Sequence, residues 1–179
     1  MASGFTHETA VSKSVEWYTP AWLFEALDVQ FDLDPCTPGV ELTHVPALIG
    51  YTLPEHDGLV EPWHGRVWCN PPYGRGIEKW LRRCAQHALD GGSAIALVPN
   101  RTDTAWFQEA ADNADAILFP AGRIKFCPGH KDAPSTGSPG TGSALIAFGM
   151  WSVRALRRAQ IPGVLCMPRN DMTKGMTIL

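Results

Sequence analysis

No stretch of the chain approaches the ~20 consecutive apolar residues that span a bilayer. Met1 to Thr9 also lacks the charged-then-apolar order of an export signal, so no membrane role is expected. The five cysteines, at positions 36, 69, 84, 127 and 166, form no Cys-x-x-Cys pair. Their odd number and wide spacing point to reduced thiols in a cytoplasm rather than to a disulfide frame. Cys127 and His130 make a single Cys-x-x-His step, without partners at ligand spacing for zinc. Positive charge is in short supply too: 15 Lys and Arg stand against 18 Asp and Glu, for a net charge of −3. A protein that grips phosphates usually shows a basic surface, so any contact with nucleic acid has to come from a local basic face. There is no internal repeat.

What remains is the profile of an ordinary globular chain. At 179 residues, 45% hydrophobic and 18% charged, it is long enough for one domain with a substantial core. Residues 1–15 read as a polar, flexible arm, and a domain is expected over 16–160. Thr19-Pro20 opens a helix, with Thr as N-cap and Pro in the first position. Trp22, Leu23, Phe24 and Leu27 include positions on its apolar face. Phe31 to Asp34 is a short strand that stops at Pro35, residues 36–56 are mostly loop, and Asp57-Gly58 is a turn. Arg66 to Cys69 is a buried strand. A helix follows from Ile77 to about Leu89, with Ile77, Trp80, Leu81, Cys84 and Leu89 on its apolar face, and Asp90-Gly91-Gly92 stops it.

Ser93 to Val98 is the next buried strand, and Thr102 or Asp103 caps a helix through Trp106, Phe107 and Ala111. Strands are expected at Ala116–Phe119 and Ser143–Gly149, and a short basic helix at Ser152–Gln160. The Gly/Pro/Ser/Thr-rich segment 128–142 reads as a mobile loop, either a lid or an exposed connection, and 161–179 is a tail without assignment. Strands alternating with helices, with continuous apolar strands, predict an α/β protein whose mostly parallel sheet is covered by helices on both faces.

Asn70-Pro71-Pro72-Tyr73, at the end of the run Val67-Trp68-Cys69, carries the chemistry. Two prolines fix the backbone and supply no N–H, which leaves the Pro71 carbonyl to act as an acceptor. The Asn70 amide oxygen is a second acceptor and Tyr73 an aromatic plane. Two acceptors beside a stacking ring suit a planar group that bears an NH₂, such as the exocyclic amine of adenine or a side-chain amide. In an open α/β sheet, ligands bind beyond the carboxyl ends of the strands. If both strands are central, Asp34 and Asn70 line one crevice.

These pieces occur in an ordered set: Glu16-Trp17-Tyr18-Thr19-Pro20, Leu33-Asp34, Asp57-Gly58-Leu59, Val67 to Arg75, Arg101 to Phe107, Gly122 to Phe126 and Ser143 to Phe148. The set resembles the small phage-encoded Dam family of DNA N6-adenine methyltransferases. The resemblance implies a trimmed Rossmann-like class I methyltransferase sheet, S-adenosylmethionine as methyl donor, and no metal. It places Trp17, Thr19, Pro20, Asp34 and Asp57 at the cofactor. Asn70, Pro71, Pro72 and Tyr73 form the catalytic corner, which takes a base flipped out of the DNA helix. One departure stands out: after Asp34 the chain reads Pro35-Cys36-Thr37-Pro38-Gly39, with one glycine where many methyltransferases have a glycine-rich loop.

DNA is the expected partner, with phosphate contacts at Arg75, Arg123 and Lys125. Arg82 and Arg83 read instead as a solvated helix face. A second copy could complete the DNA surface, so a homodimer is an open possibility. The resemblance also implies a phage or prophage protein in the cytoplasm of a bacterial host, with a role in restriction–modification. Two other readings stay open: methylation of a protein glutamine amide, and a catalytically degenerate fold that only binds DNA.

Overall fold

The computed structural model describes residues 17–135 and 140–168. The expected arm at 1–15, residues 136–139 of the expected mobile loop and residues 169–179 of the tail lie outside them. In chain order the elements are β1 (Trp17–Tyr18), α1 (Ala21–Leu27), β2 (Phe31–Asp34), β3 (Ala47–Gly50), β4 (Arg66–Cys69), α2 (Ile77–Leu89), β5 (Ser93–Pro99), α3 (Ala105–Asn113), β6 (Ala116–Pro120), β7 (Cys127–Pro128), β8 (Ser143–Phe148), α4 (Met150–Arg158) and β9 (Gly163–Cys166). A 3₁₀ turn at Val40–Leu42 precedes β3.

Seven strands form one sheet in the order β3-β2-β4-β5-β8-β6-β9, and β1 and β7 make a separate two-stranded antiparallel ribbon. The β3-β2-β4-β5 half is parallel. From β8 onward the pairings are antiparallel, because β8 runs back between β5 and β6 and β9 runs back along β6. The expected mostly parallel sheet is therefore correct for strand direction but not for pairing. The seven-residue strand β5 and its partner β8 meet along six residue pairs of opposite direction.

Period-two alternation explains the continuous apolar strands. Trp68, Ile95, Leu97, Leu145 and Ala147 face α1 and α4, while Val67, Cys69, Ala94, Ala96, Val98, Ala144, Ile146 and Phe148 face α2 and α3. Because helices cover both faces, nearly every position of the central strands β4, β5 and β8 is buried and no polar alternation survives there. In α2 the buried face is Ile77, Leu81, Cys84 and His87. Leu89, expected on that face, is 82% exposed at the last turn. Trp22 on α1 is likewise half-exposed, and the helix packs through Leu23, Phe24 and Leu27.

Four strands escaped the sequence reading: β1 and β7 of the small ribbon, and the two edge strands of the main sheet. β3, within the segment read as mostly loop, exposes Leu48 and Ile49 and forms one sheet edge. β9, in the segment read as a tail, forms the other edge. Four-residue strands at sheet edges carry little period-two signal, and pairing rather than composition defines them. The helix starts also shift by a residue or two: Pro20 is the N-cap of α1 and Thr104 that of α3.

Candidate active site

A cleft of about 660 Å³ opens at the carboxyl ends of β2 and β4. That volume is ordinary for a small-molecule or cofactor site. Most of its wall comes from the chain after β2 (Asp34 to Pro38), the β3–β4 connection (Tyr51 to Leu53, with His56 to Gly58), the corner Asn70 to Tyr73, and the Trp17–Thr19 segment with Phe126; Thr43, Val45, Trp68 and Trp80 complete it. Of the residues singled out by sequence, Trp17, Thr19, Asp34, Asp57, Asn70, Pro71, Pro72 and Tyr73 line this one cleft. Pro20 does not; it is buried as the N-cap of α1.

β2 and β4 are hydrogen-bonded neighbours, Leu33 opposite Val67, so their exits lie side by side. Asn70 leaves β4 with its Nδ2 donating to Thr19 Oγ1 at a long 3.5 Å. That contact orients the amide and leaves Oδ1 as a buried acceptor with no partner among the described residues. Thr19 can hold Asn70 because its hydroxyl does not cap α1, contrary to the sequence expectation; no side-chain cap bond forms there. An orphaned buried acceptor is costly unless a ligand donor meets it. Tyr73 stands 42% exposed at the rim, its ring open to stacking.

Asp34 is 4% exposed, and its Oδ1 accepts from the backbone N–H of Cys36 at 3.2 Å. Burial pushes its carboxyl up to about 7, against the opposing pull of the Cys36 backbone and side chain. Cys36 Sγ lies 3.9 Å from Cys69 Sγ beneath the same wall. Burial raises the Cys69 thiol well above its ordinary value, so it is protonated at neutral pH. In place of a glycine-rich loop after β2, a neighbouring glycine gives the close approach. A Cβ on Gly58 would stand 1.8 Å from the Pro35 carbonyl oxygen, so the Asp57–Gly58 turn packs directly on the chain leaving Asp34. Asp57 Oδ1 accepts from Leu59 N at 2.9 Å and fixes the turn.

Sequence reasoning missed Trp68, Phe126, Trp80, Tyr51 and His56 as cleft residues. Trp68 was read as part of a buried strand, and it is fully buried, but it also lines the cleft, its Nε1 without a partner among the described residues. Tyr51 comes from a segment with no local signal, and Phe126 ends the Gly122–Phe126 motif; only the fold carries either to the cleft. Arg75, Arg123 and Lys125 are exposed and lie outside the cleft lining. Lys125 adjoins Phe126, and Arg123 Nη1 donates to Gly140 O at 3.0 Å. Of the two arginines expected on a solvated helix face, Arg82 is exposed as expected and Arg83 is not. Arg82 makes a two-point pair with Glu109 of α3, Nε to Oε1 at 2.6 Å, and Arg83 is half-buried. Among the described residues no three His, Cys, Asp or Glu side chains converge as a metal site, and no helix is long and apolar enough to cross a membrane.

No curated protein matches the chain. A family model, DNA N-6-adenine-methyltransferase (Dam), matches residues 6–170, nearly the whole length. The α/β fold, its cleft at the strand ends and this match agree: the chain belongs to the Dam family of DNA N6-adenine methyltransferases.

Proposed function

We propose that the protein methylates the N6 amine of adenine in DNA, using S-adenosylmethionine, with the target base flipped into the Asn70–Tyr73 corner of a Rossmann-like domain. The observation that carries this reading is the buried, unpartnered Asn70 Oδ1 at the floor of a cofactor-sized cleft. An amine N–H is the donor that such an acceptor lacks. The residues present fit a nucleoside-type cofactor: a buried carboxylate at Asp34, the Asp57–Gly58 turn and the aromatic wall of Trp17 and Tyr51. When bound, the cofactor supplies a methyl group already activated by its sulfonium.

The protein's own work is positioning and electrostatics. Asn70 Oδ1 and the Pro71 carbonyl accept from the amine and stabilise the positive charge that develops as its nitrogen attacks. Pro72 keeps the corner rigid, and Tyr73 stacks on the extruded base. Thr19 holds the Asn70 amide in the accepting orientation. Trp17 and Thr19 share the cleft wall with Asp34 and Asp57, and Pro20 supports them from behind as the N-cap of α1. Arg75, Arg123 and Lys125 contact DNA phosphates, and binding should weaken as salt rises. With a net charge of −3, a second copy would help complete the DNA surface. Action in a bacterial host's cytoplasm, in a phage restriction–modification setting, follows from the same reading. The family match favours adenine in DNA over a protein glutamine amide.

The test is methyl transfer from labelled S-adenosylmethionine to unmethylated duplex DNA, followed by nucleoside analysis. N6-methyladenine is the expected product. Cofactor binding without transfer to DNA would redirect the search to RNA or protein amides, and absence of cofactor binding would indicate a degenerate fold.

A further inference from the structure

The turn at Asp57 is held from outside as well as from within. Internally, the Asp57 carbonyl accepts from Val60 N at 2.8 Å and Glu61 N at 2.9 Å. Externally, α2 reaches across to it. Arg83 Nη1 donates to Leu59 O at 2.6 Å, and Nη2 of the same guanidinium donates to Glu61 O. The guanidinium carbon sits 5.1 Å over the Trp63 ring. Trp63 Nε1 in turn donates to Gly58 O at 2.8 Å, and its ring stacks on Trp80 of α2 with centroids 6.4 Å apart. Gly58 and Trp80 both line the cleft. One cation thus holds two backbone carbonyls and one indole, all belonging to the segment that forms the Asp57 side of the cleft.

This arrangement needs arginine. A planar fork can serve two carbonyls and lie flat on an aromatic face at once, whereas a lysine ammonium is a single point charge. The helix that carries it begins just after the Asn70–Tyr73 corner. A rigid helix therefore joins the acceptor corner at one side of the cleft to the Asp57–Gly58 turn at the other.

We infer that Arg83 is a positioning residue: with Trp63 it ties the Asp57–Gly58 wall to α2 and sets the cofactor end of the cleft in register with Asn70. The inference rests on the proposed cofactor role of that wall. Without the clamp, the turn keeps its internal bonds but loses its anchor, so the loss falls on cofactor affinity rather than on DNA contact.

The experiment measures S-adenosylhomocysteine binding by calorimetry without DNA, for the full chain and for Arg83→Ala, Arg83→Lys and Trp63→Phe. Steady-state kinetics and melting curves accompany it. Arg83→Ala should weaken binding about tenfold or more, the scale of lost charge-assisted hydrogen bonds. KM for S-adenosylmethionine should rise by a similar factor, with kcat at saturating cofactor and KM for DNA within about twofold of the parent's. Arg83→Lys should fall between parent and Arg83→Ala. Trp63→Phe, which keeps an aromatic face but not the bond to Gly58, should lose about threefold. A folded Arg83→Ala with parental affinity, or one altered only in kcat or in KM for DNA, overturns the inference; so does a lowered melting temperature with unchanged affinity. If Arg83→Ala does not fold, parental affinity in both milder variants overturns it. Failure of the parent itself to bind S-adenosylhomocysteine instead overturns the functional reading on which the inference rests.

Discussion

Asp32 and Asp34 lie two residues apart on β2, beside the same neighbour β4, and their surroundings treat them oppositely. Arg66 donates to Asp32 three times: its backbone N to Oδ2 at 2.7 Å, Nε to Oδ2 at 2.9 Å and Nη2 to Oδ1 at 2.8 Å. Those bonds hold the Asp32 carboxyl down to about 2. The fit is close enough that a Cβ on Gly65 would stand 2.3 Å from Asp32 Oδ2. At the strand exit, Asp34 is more deeply buried, has one backbone donor and sits near 7. Across from it Asn70 Oδ1 has none. The first arrangement is complete and serves the fold. The second leaves hydrogen-bonding capacity open in a cleft, as a site that awaits a ligand does.

Four substitutions sharpen or break that contrast. The largest effect is expected at Asn70. Asn70→Ala should lower kcat by roughly 10²–10³-fold, the scale for loss of one preplaced dipole at a developing charge. S-adenosylhomocysteine affinity should stay within about threefold. Parental turnover would remove Asn70 from the reaction.

Next comes Asp34. Its folded-state value, about 7, lies above the ordinary 3.8, so between those values the folded protein binds more protons than the unfolded chain. Stability should therefore fall as pH rises from about 4 to 7, by roughly a few kcal/mol. Asp34→Asn should flatten that slope in urea titrations across the range. If the ionised carboxylate holds the cofactor, parental affinity should increase as pH passes through about 7, and Asp34→Asn should bind roughly 10–100-fold more weakly. A variant that keeps both the slope and the affinity would refute the assignment.

The Asp32–Arg66 pair should behave in the reverse sense. Asp32 is lowered from 3.8 to about 2, so its contribution is present above pH ~4 and lost as pH falls toward 2. With Arg66 39% exposed, screening reduces the contribution, and Asp32→Asn should cost only about 1 kcal/mol at pH 7. kcat should not change; a change in kcat would erase the distinction between the two ends of the strand. Smallest of all, Arg82→Ala removes an exposed pair with Glu109 and should leave the melting temperature unmoved. A clear drop there would mean that the α2–α3 contact depends on more than its apolar residues.

Much of this molecule is local in origin. The helix at Ile77–Leu89 and the strands at Phe31–Asp34 and Arg66–Cys69 match the boundaries read from the chain, because period and stop signals such as Asp90-Gly91-Gly92 act over a few residues. The Asn70-Pro71-Pro72-Tyr73 corner was legible for the same reason: its rigidity and its acceptors are properties of the residues themselves. The family was legible too, from the order of short motifs along the chain.

Tertiary structure decided the rest. Strands β3 and β9 exist because a neighbouring strand offers hydrogen bonds to them, and the insertion of β8 between β5 and β6 is a choice of pairing that no local pattern encodes. The role of Arg83 depends on residues more than 20 positions away in sequence. The open acceptor at Asn70 and the raised carboxyl at Asp34 are likewise consequences of burial beside particular neighbours. Residue type supplies the chemistry a position can offer; the packing around it decides whether that chemistry is satisfied internally or left for a ligand.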